Sequence, residues 1–190
     1  MDSLRLLTAD EFATRGDTED DLEPRWSELL AGRLVSFEPP PPEHGAVVLN
    51  FAKAIAAYLQ KAGDEKGYAG FETGLLVARN PDTVRRPPVS FFVTGDRFAE
   101  VDSRLTETRP ALVLEIASTN DRRRAMRDRV ESYLAWGVRS VWVADSIEKN
   151  VHVLQTGRPP RIFSGSQSVP GSPIFANFRV GASELFAMPE

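Results

Sequence analysis

Apolar residues recur along this chain with two different periods, and each change of period marks a change from helix to strand. From His44 to Lys61 the apolar positions lie three or four residues apart, which predicts an amphipathic helix. Pro42 suits the first turn of that helix, where a missing N–H costs nothing. A second helix is predicted from about Asp121 to Trp136, ended by Gly137. Two short helices are also predicted, after the capping box Thr8–Glu11 and at Ser183–Phe186.

Short apolar runs bounded by glycine, proline and polar residues predict the strands. Residues 26–37 mix apolar and polar positions, and we interpret them as the end of a helix that turns into a first strand at Arg33–Phe37. Two more strands are predicted, near Tyr68–Ala78 and Val89–Thr94. The polar turn Asn80–Thr83 lies between them and predicts a hairpin.

The order of the later elements indicates the fold class. Ala111–Ile116 and Val138–Ala144 are apolar runs typical of buried strands, and the predicted helix between them indicates a right-handed parallel crossover. Asn150–Gln155 alternates between apolar and polar residues and is predicted as an outer strand. Together the elements predict an α/β fold, a mixed β-sheet flanked by helices, in a single domain over residues 1–190.

Two polar segments lack a core-forming pattern. Asp17–Glu23 is acidic and predicts a solvated loop, with a partner-binding surface as the alternative. Gly95–Arg109 predicts a loop with at most one helical turn.

Composition excludes several kinds of site. The absence of cysteine excludes a disulfide scaffold, a thiolate metal site and a cysteine nucleophile. His44 and His152 are far apart, which disfavours a zinc site with several histidines. No apolar run approaches the roughly 20 residues that span a bilayer, and the acidic start is unlike a signal peptide. We therefore expect a soluble, cytoplasmic protein with no membrane partner.

The charges narrow the chemistry further. The 23 basic and 27 acidic residues give a net charge of −4, so the whole molecule has no general attraction to nucleic acid. Nineteen of the basic residues are arginines. Chemistry that needs a lysine has only four candidates: Lys53, Lys61, Lys66 and Lys149.

Glu115 is a carboxylate inside a predicted buried strand, where an unpaired charge is costly. Strand alternation places it on the same face as Val113. At a strand end it can hold a divalent cation, or it can pair with an arginine of the following helix. Arg129 shares the apolar face of that helix with Met126 and Tyr133, so it is the basic residue best placed to reach Glu115. The other arginines of this helix are interpreted as a solvated face or as phosphate contacts.

Six stretches resemble one known family in their order and spacing, from about Thr8 to Phe186. They are Glu28–Val35, Pro42–Val48, Pro81–Val93, Pro110–Ser118, Tyr133–Asp145 and Phe178–Phe186. The chain resembles the Uma-two group of bacterial endonucleases. The resemblance implies the restriction-endonuclease-like fold of the PD-(D/E)xK nucleases, with metal-dependent hydrolysis of phosphodiester bonds.

The resemblance also implies a four-part site for Mg²⁺ or Mn²⁺. A glutamate on the first helix matches Glu28, and a glutamate at a strand end matches Glu115. The position of the family's aspartate is occupied by Pro88, and the position of its lysine by Arg129. Proline offers no ligand, and arginine stays protonated and cannot act as a base. Asp82 lies six residues before Pro88 and is a poor replacement unless its loop folds back.

His44 lies near the expected cleft, and we interpret it either as a surface residue at the start of a helix or as a residue of the substrate cleft. With Glu28 and Glu115 as the only metal ligands, Mg²⁺ or Mn²⁺ would bind weakly or not at all. The edge of the outer strand Asn150–Gln155 suggests a homodimer.

Three functions stay open at this point. The first is a metal-dependent endonuclease with an altered site, acting on DNA. The second is a catalytically inactive nuclease-fold protein that binds nucleic acid or a protein partner, or has a regulatory role. The third is a phosphate-binding module built on Arg129 and its neighbours.

Overall fold

The fold was analysed in a computed structural model that describes residues 5–15, 26–62, 67–93 and 105–189. The predicted loop Asp17–Glu23 lies outside these residues. So does most of the predicted loop Gly95–Arg109, whose last residues are described and include a short strand.

The helices match their predicted positions. They are α1 (Ala9–Thr14), α2 (Pro42–Ala62), α3 (Asn120–Trp136) and α4 (Ala182–Leu185). The capping box at Thr8 and Glu11 is formed, and Gly137 ends α3 in the left-handed conformation. None of the described helices has the length and apolar composition that crossing a membrane requires.

The described strands form two larger sheets and one small one. Along the chain they are β1 (Ser27–Leu30), β2 (Arg33–Ser36), β3 (Tyr68–Phe71), β4 (Gly74–Ala78), β5 (Thr83–Arg85), β6 (Val89–Phe92), β7 (Leu105–Thr106), β8 (Leu112–Ala117), β9 (Ser140–Asp145), β10 (Asn150–Leu154), β11 (Arg161–Ser164), β12 (Ser168–Pro170) and β13 (Arg179–Gly181). One sheet has the order β2-β1-β5-β4-β7 and the other β11-β10-β9-β8-β6-β3. β12 and β13 pair with each other. The fold is mixed α/β, as predicted.

Strand β8 lies inside its sheet and separates two hydrophobic clusters. It pairs in parallel with β9, with α3 as the connection, which confirms the predicted crossover as a parallel unit. Leu112, Leu114 and Ile116 join the core that α2 covers. Val113 faces the other way, toward the cluster under α3. This alternation points Glu115 toward α3.

The predicted helix end before Arg33 is wrong, because residues 27–30 form β1. Ala31 and Gly32 join β1 to β2 with φ angles of 49° and 74°, as a two-residue hairpin requires. Alanine rarely adopts a positive φ, so the Ala-Gly pair gave a weak turn signal. Glu28 therefore lies on a strand, not on a helix as the resemblance implied.

The predicted strand Tyr68–Ala78 is interrupted at Glu72, whose φ of 50° separates β3 from β4. The two halves join different sheets. The turn Asn80–Thr83 does make a hairpin, but it joins β4 to the three-residue β5 and not to β6.

The prediction that Asn150–Gln155 is outermost is wrong. β11 pairs along the far side of β10, from Asn150 to Val153, so that edge has no free row of backbone groups. The strand-edge argument for a homodimer is lost with it.

Candidate functional site

The two sheets and α3 bring together side chains that are far apart in the sequence. Glu28 lies on β1, Arg85 on β5, Glu115 on β8, and Arg129 and Tyr133 on α3. These five residues form what we name the arginine–carboxylate cluster. Three of them, Glu28, Glu115 and Arg129, are among the four residues predicted for the site, of which the fourth is His44.

Arg129 lies between the two carboxylates. Its Nη1 donates to Glu28 Oε2 at 2.6 Å, and its Nη2 donates to Glu115 Oε1 at 2.7 Å. The Arg129 side chain is fully buried. The two carboxylates raise the pKa of Arg129 well above its ordinary value despite the opposing effect of burial, so the guanidinium stays charged. The predicted pairing of Arg129 with Glu115 is confirmed as an ion pair.

Glu28 has partners on both oxygens. Besides Arg129, its Oε2 accepts from Arg85 Nη1 at 3.2 Å. Its Oε1 accepts from the backbone N–H of Arg86 at 2.7 Å. Burial raises the pKa of Glu28, but the two guanidinium groups and these hydrogen bonds outweigh it and hold the pKa below its ordinary value.

Glu115 is partnered on one oxygen only among the described residues. Its Oε1 accepts from Arg129 and, at 2.6 Å, from the hydroxyl of Tyr133. Its Oε2 is buried without a hydrogen-bond partner. Burial, and next the negative charge of Glu115, raise the pKa of Tyr133 well above its ordinary value, which keeps the phenol protonated as a donor.

A pocket of about 240 Å³, which we name the Trp26 pocket, lies beside this cluster. It is lined by Trp26, Ser27, Glu28, Phe37, His44, Glu72, Arg86, Pro88 and Arg122. Pro88, which the resemblance places at the family's aspartate position, lines the pocket and offers it no carboxylate. Its carbonyl accepts from the N–H of Glu72 at 3.3 Å, and this links the pocket wall to the start of β6.

Asp82 takes no part in the pocket lining. Its Oδ2 accepts from the N–H of Ala9 at 2.7 Å and its Oδ1 from the N–H of Asn80 at 3.3 Å. It thereby ties the β4–β5 turn to α1, consistent with the expectation that it is a poor replacement ligand. Within the described ranges, no group of three or more histidine, aspartate or glutamate side chains is arranged to hold a metal ion.

His44 is a buried residue of the pocket, so its interpretation as a surface residue is wrong. It is 4% exposed, and Trp26 packs edge-on against it, with 6.3 Å between the ring centroids. Its Nδ1 hydrogen-bonds Ser118 Oγ at 2.9 Å. Burial, and next the positive charge of Arg122, lower the pKa of His44 to about 4. The ring is therefore neutral at neutral pH.

The arginines of α3 other than Arg129 were interpreted either as a solvated face or as phosphate contacts, and for Arg122 the solvated face is wrong. Arg122 is 4% exposed, and its guanidinium carbon lies 5.0 Å from the centre of the Phe37 ring and 5.7 Å from that of Trp26. Arg123 is also held, by an ion pair with Asp145. Arg127, with an 84% exposed side chain, does lie on a solvated face.

Sequence reasoning missed Arg85, Arg86 and Arg122 as parts of this region. One signal for Arg85 was present: it directly follows the β-branched pair Thr83–Val84, and a charge in such a strand needs a buried partner. Arg122 had no signal of its own. Its aromatic neighbours, Trp26 and Phe37, come from a hairpin more than eighty residues earlier.

Comparison with known proteins adds a family and a fold. The family model Uma2, with the description "Putative restriction endonuclease", matches residues 15–184. A crystal structure of a "putative nuclease belonging to DUF820" from Anabaena variabilis ATCC 29413 aligns with a TM-score of 0.75 and 19% identity, over 95% of this chain and 97% of that one. At that identity the likeness concerns the fold. None of the curated proteins matches the chain.

Proposed function

The chain belongs to the Uma2 family, and from that premise we propose that it is a nuclease-fold protein with a degenerate active site, which binds nucleic acid but does not hydrolyse it. The observation that carries the proposal is the position of Arg129. Its guanidinium occupies the space between Glu28 and Glu115, the two carboxylates expected to hold Mg²⁺ or Mn²⁺ in this family.

The charges of the cluster do not fit a divalent cation. The Glu28 and Glu115 carboxylates are already balanced by the guanidinium groups of Arg129 and Arg85. A metal ion between the carboxylates would have to displace Arg129 or lie beside it. Either arrangement leaves a buried positive charge uncompensated, which costs several kcal/mol. The unpaired Oε2 of Glu115 is a single potential metal ligand and does not make a metal site by itself.

The described residues of this region also lack the groups that would activate water. Pro88 supplies no third carboxylate, and Arg129 cannot take a proton. Among the described lysines, Lys53 and Lys61 lie on α2, and the ammonium of Lys149 lies 5.5 Å from the centre of the Phe186 ring. None of these three lines the Trp26 pocket.

Two features support nucleic acid as the ligand. The Uma2 family is described by its relation to restriction endonucleases, whose substrate is DNA. In addition, Arg86 and Arg122 line a pocket beside the cluster. Phosphate oxygens are the groups that arginine side chains contact most often in nucleic acids.

The test separates binding from hydrolysis. We expect the wild-type protein to nick plasmid DNA in Mg²⁺ or Mn²⁺ no faster than a Glu115→Gln variant prepared in parallel, and to bind DNA in the presence of EDTA. Metal-dependent nicking that Glu115→Gln abolishes would establish an endonuclease instead. Absence of DNA binding in EDTA would contradict the nucleic-acid half of the proposal and favour a protein partner.

A restored site provides the complementary measurement. We expect the double variant Pro88→Asp with Arg129→Lys to bind Mg²⁺ or Mn²⁺ in a calorimetric titration in which the wild type gives no heat of binding. Pro88→Asn with Arg129→Lys is the matched control, because it has the same shape but lacks the added carboxylate. Equal titrations for both double variants would count against Pro88 as the aspartate position.

Assembly and location stay predictions from the sequence. A homodimer is proposed without an assigned interface, and sedimentation velocity at several concentrations tests it. The cytoplasmic location is likewise a proposal, to be tested by cell fractionation.

A further inference from the structure

Arg122 is a buried cation without a counter-ion among the described residues. It is 4% exposed and makes no ion pair within those residues. Its Nε has no hydrogen-bond partner. Burial, and next the repulsion of Arg129, lower its pKa from the ordinary value for arginine. A guanidinium in this position gains free energy from any anion that reaches it.

The other buried arginines do not share this property. Arg129 bridges two carboxylates and Arg85 pairs with Glu28. Arg122 is held instead by the aromatic rings of Trp26 and Phe37, which orient its guanidinium without neutralising it.

The pocket offers further groups for an anion. The guanidinium of Arg86 lies over the Phe12 ring, 4.8 Å from its centre, and makes no ion pair within the described residues. The second ring nitrogen of His44 makes no hydrogen bond to the described residues, so it is available to a ligand.

Two carboxylates also line the pocket, and they attract these guanidinium groups from a distance without forming an ion pair with them. Glu28 is already saturated by Arg85, Arg129 and the Arg86 N–H. Glu72 is exposed to solvent, where its repulsion of an anion is screened. The carboxylate oxygens of Asp121, next to Arg122, accept hydrogen bonds from the Thr119 hydroxyl and from the backbone N–H groups of Glu38 and Arg122.

We propose that the Trp26 pocket binds a phosphomonoester, the terminal phosphate of a nucleic acid strand or of a nucleotide, with Arg122 as its main cation and Arg86 as the second. A terminal phosphate carries nearly two negative charges at neutral pH, against one for a phosphodiester, and so matches two unpaired guanidinium groups. The pocket volume of about 240 Å³ equals roughly eight waters, enough for a phosphate and part of its sugar beside Trp26 and Phe37. This inference rests on the proposed function and adds the chemical group that is recognised.

The experiment compares two single-stranded oligonucleotides of one sequence, one with a 5′-phosphate and one with a 5′-hydroxyl, in EDTA. Binding is followed by fluorescence anisotropy of a 3′ label. We expect the phosphorylated strand to bind about tenfold more tightly, as for a charge-assisted contact made only by that strand. Arg122→Gln should abolish the difference. Arg127→Gln, a loss of the same charge at an exposed site of the same helix, should keep it.

A second measurement needs no variant. Inorganic phosphate and a nucleoside monophosphate should each raise the melting temperature of the wild type, whereas the corresponding nucleoside should not. A different result is that either phosphate compound raises the melting temperature while neither oligonucleotide binds. In that case the anion pocket is supported and a free nucleotide is the ligand. The proposed nucleic-acid function then fails.

Other outcomes overturn the inference. If both oligonucleotides bind equally and Arg122→Gln leaves them equal, nucleic-acid binding stands but the phosphomonoester pocket does not. If phosphate compounds protect the Arg122→Gln variant as well as the wild type, the anion binds elsewhere and the assignment to Arg122 is wrong.

Discussion

Arg129 is the shared ion-pair partner of two buried carboxylates. Glu28 and Glu115 are 2% and 0% exposed, and an oxygen of each accepts a hydrogen bond from the same guanidinium. A lysine has a single ammonium and cannot present two coplanar N–H groups to carboxylates on opposite sides. Arg129 is thus better suited than a lysine to joining β1, β8 and α3.

We expect Arg129→Met to lower the free energy of unfolding by about 3–5 kcal/mol, because it leaves two buried carboxylates without their shared cation. Urea denaturation at neutral pH measures this. Arg127→Met removes the same charge from an exposed site and should change the value by no more than about 0.5 kcal/mol. Similar losses for the two variants would show that the cluster contributes little to stability.

His44 makes stability depend on pH through a lowered pKa. Its pKa is about 4 in the folded protein against an ordinary 6.5, so between these values the unfolded chain binds a proton that the folded protein does not. The free energy of unfolding therefore falls as pH decreases from 6.5, by about 1.4 kcal/mol per unit at most. Carboxylates with lowered pKa values, such as Glu28, lose their contribution only below pH 4.5.

The variant His44→Asn isolates this effect, because asparagine is polar and does not titrate. Between pH 6.5 and 4.5 we expect the wild type to lose about 2 kcal/mol of stability more than the variant does. Urea midpoints measured across that range give the two slopes. Parallel slopes would mean that His44 binds its proton as readily in the folded protein as in the unfolded chain.

At the scale of elements, two backbone turns decide where the pocket walls lie. The Ala31–Gly32 turn folds β2 back on β1 and so places Phe37 near Trp26. The backbone N–H of Phe37 donates a hydrogen bond to the carbonyl of Trp26 at 3.0 Å. The break at Glu72 sends β3 and β4 into different sheets. The pocket is therefore a product of strand pairing and not of one continuous motif.

Gly67 controls the approach of β3 to β6. It has a φ of 113°, and a Cβ there would lie 2.1 Å from the Phe92 carbonyl oxygen. Gly157, in the β10–β11 turn, also has a positive φ, but a Cβ there would meet no atom within 4 Å. Both glycines avoid the strain of a left-handed residue, whereas only Gly67 also avoids a collision with backbone.

We therefore expect Gly157→Ala to lower the free energy of unfolding by about 1 kcal/mol, the cost of the positive φ alone, and Gly67→Ala to lower it by more than twice as much. Thermal or urea unfolding of the two variants makes the comparison. Equal losses would show that β3 shifts away from β6 at little cost.

At the scale of the whole molecule, charge is uneven although the total is −4. Arg86 and Arg122 line one pocket without an ion-pair partner among the described residues, whereas on the exposed face of α3 Asp128 and Glu131 lie beside Arg127 and balance its charge. A local cluster of this kind recognises one or two phosphates, whereas general adhesion to nucleic acid needs many cations. The net charge thus agrees with a ligand bound at a single place.

Much of the architecture was predictable because local periodicity reports it. The spacing of apolar residues marked α2 and α3, and the nearly continuous run at 111–116 marked the central strand β8. The pairing of Arg129 with Glu115 was also predictable, since strand alternation and helix periodicity aim both side chains at one interface. β1 and β5 were missed because they are only four and three residues long, which is too short for a clear alternation of apolar and polar positions.

The sequence by itself determined the α/β class, the parallel unit β8–α3–β9 and the absence of a carboxylate at Pro88. Only the tertiary structure decided that Arg129 also holds Glu28, 101 residues away, and that Arg122 is buried without a counter-ion. The physical reason is that periodicity acts over a few residues and shows which face a side chain occupies. The charge that a buried side chain meets depends on strands brought there by long-range pairing.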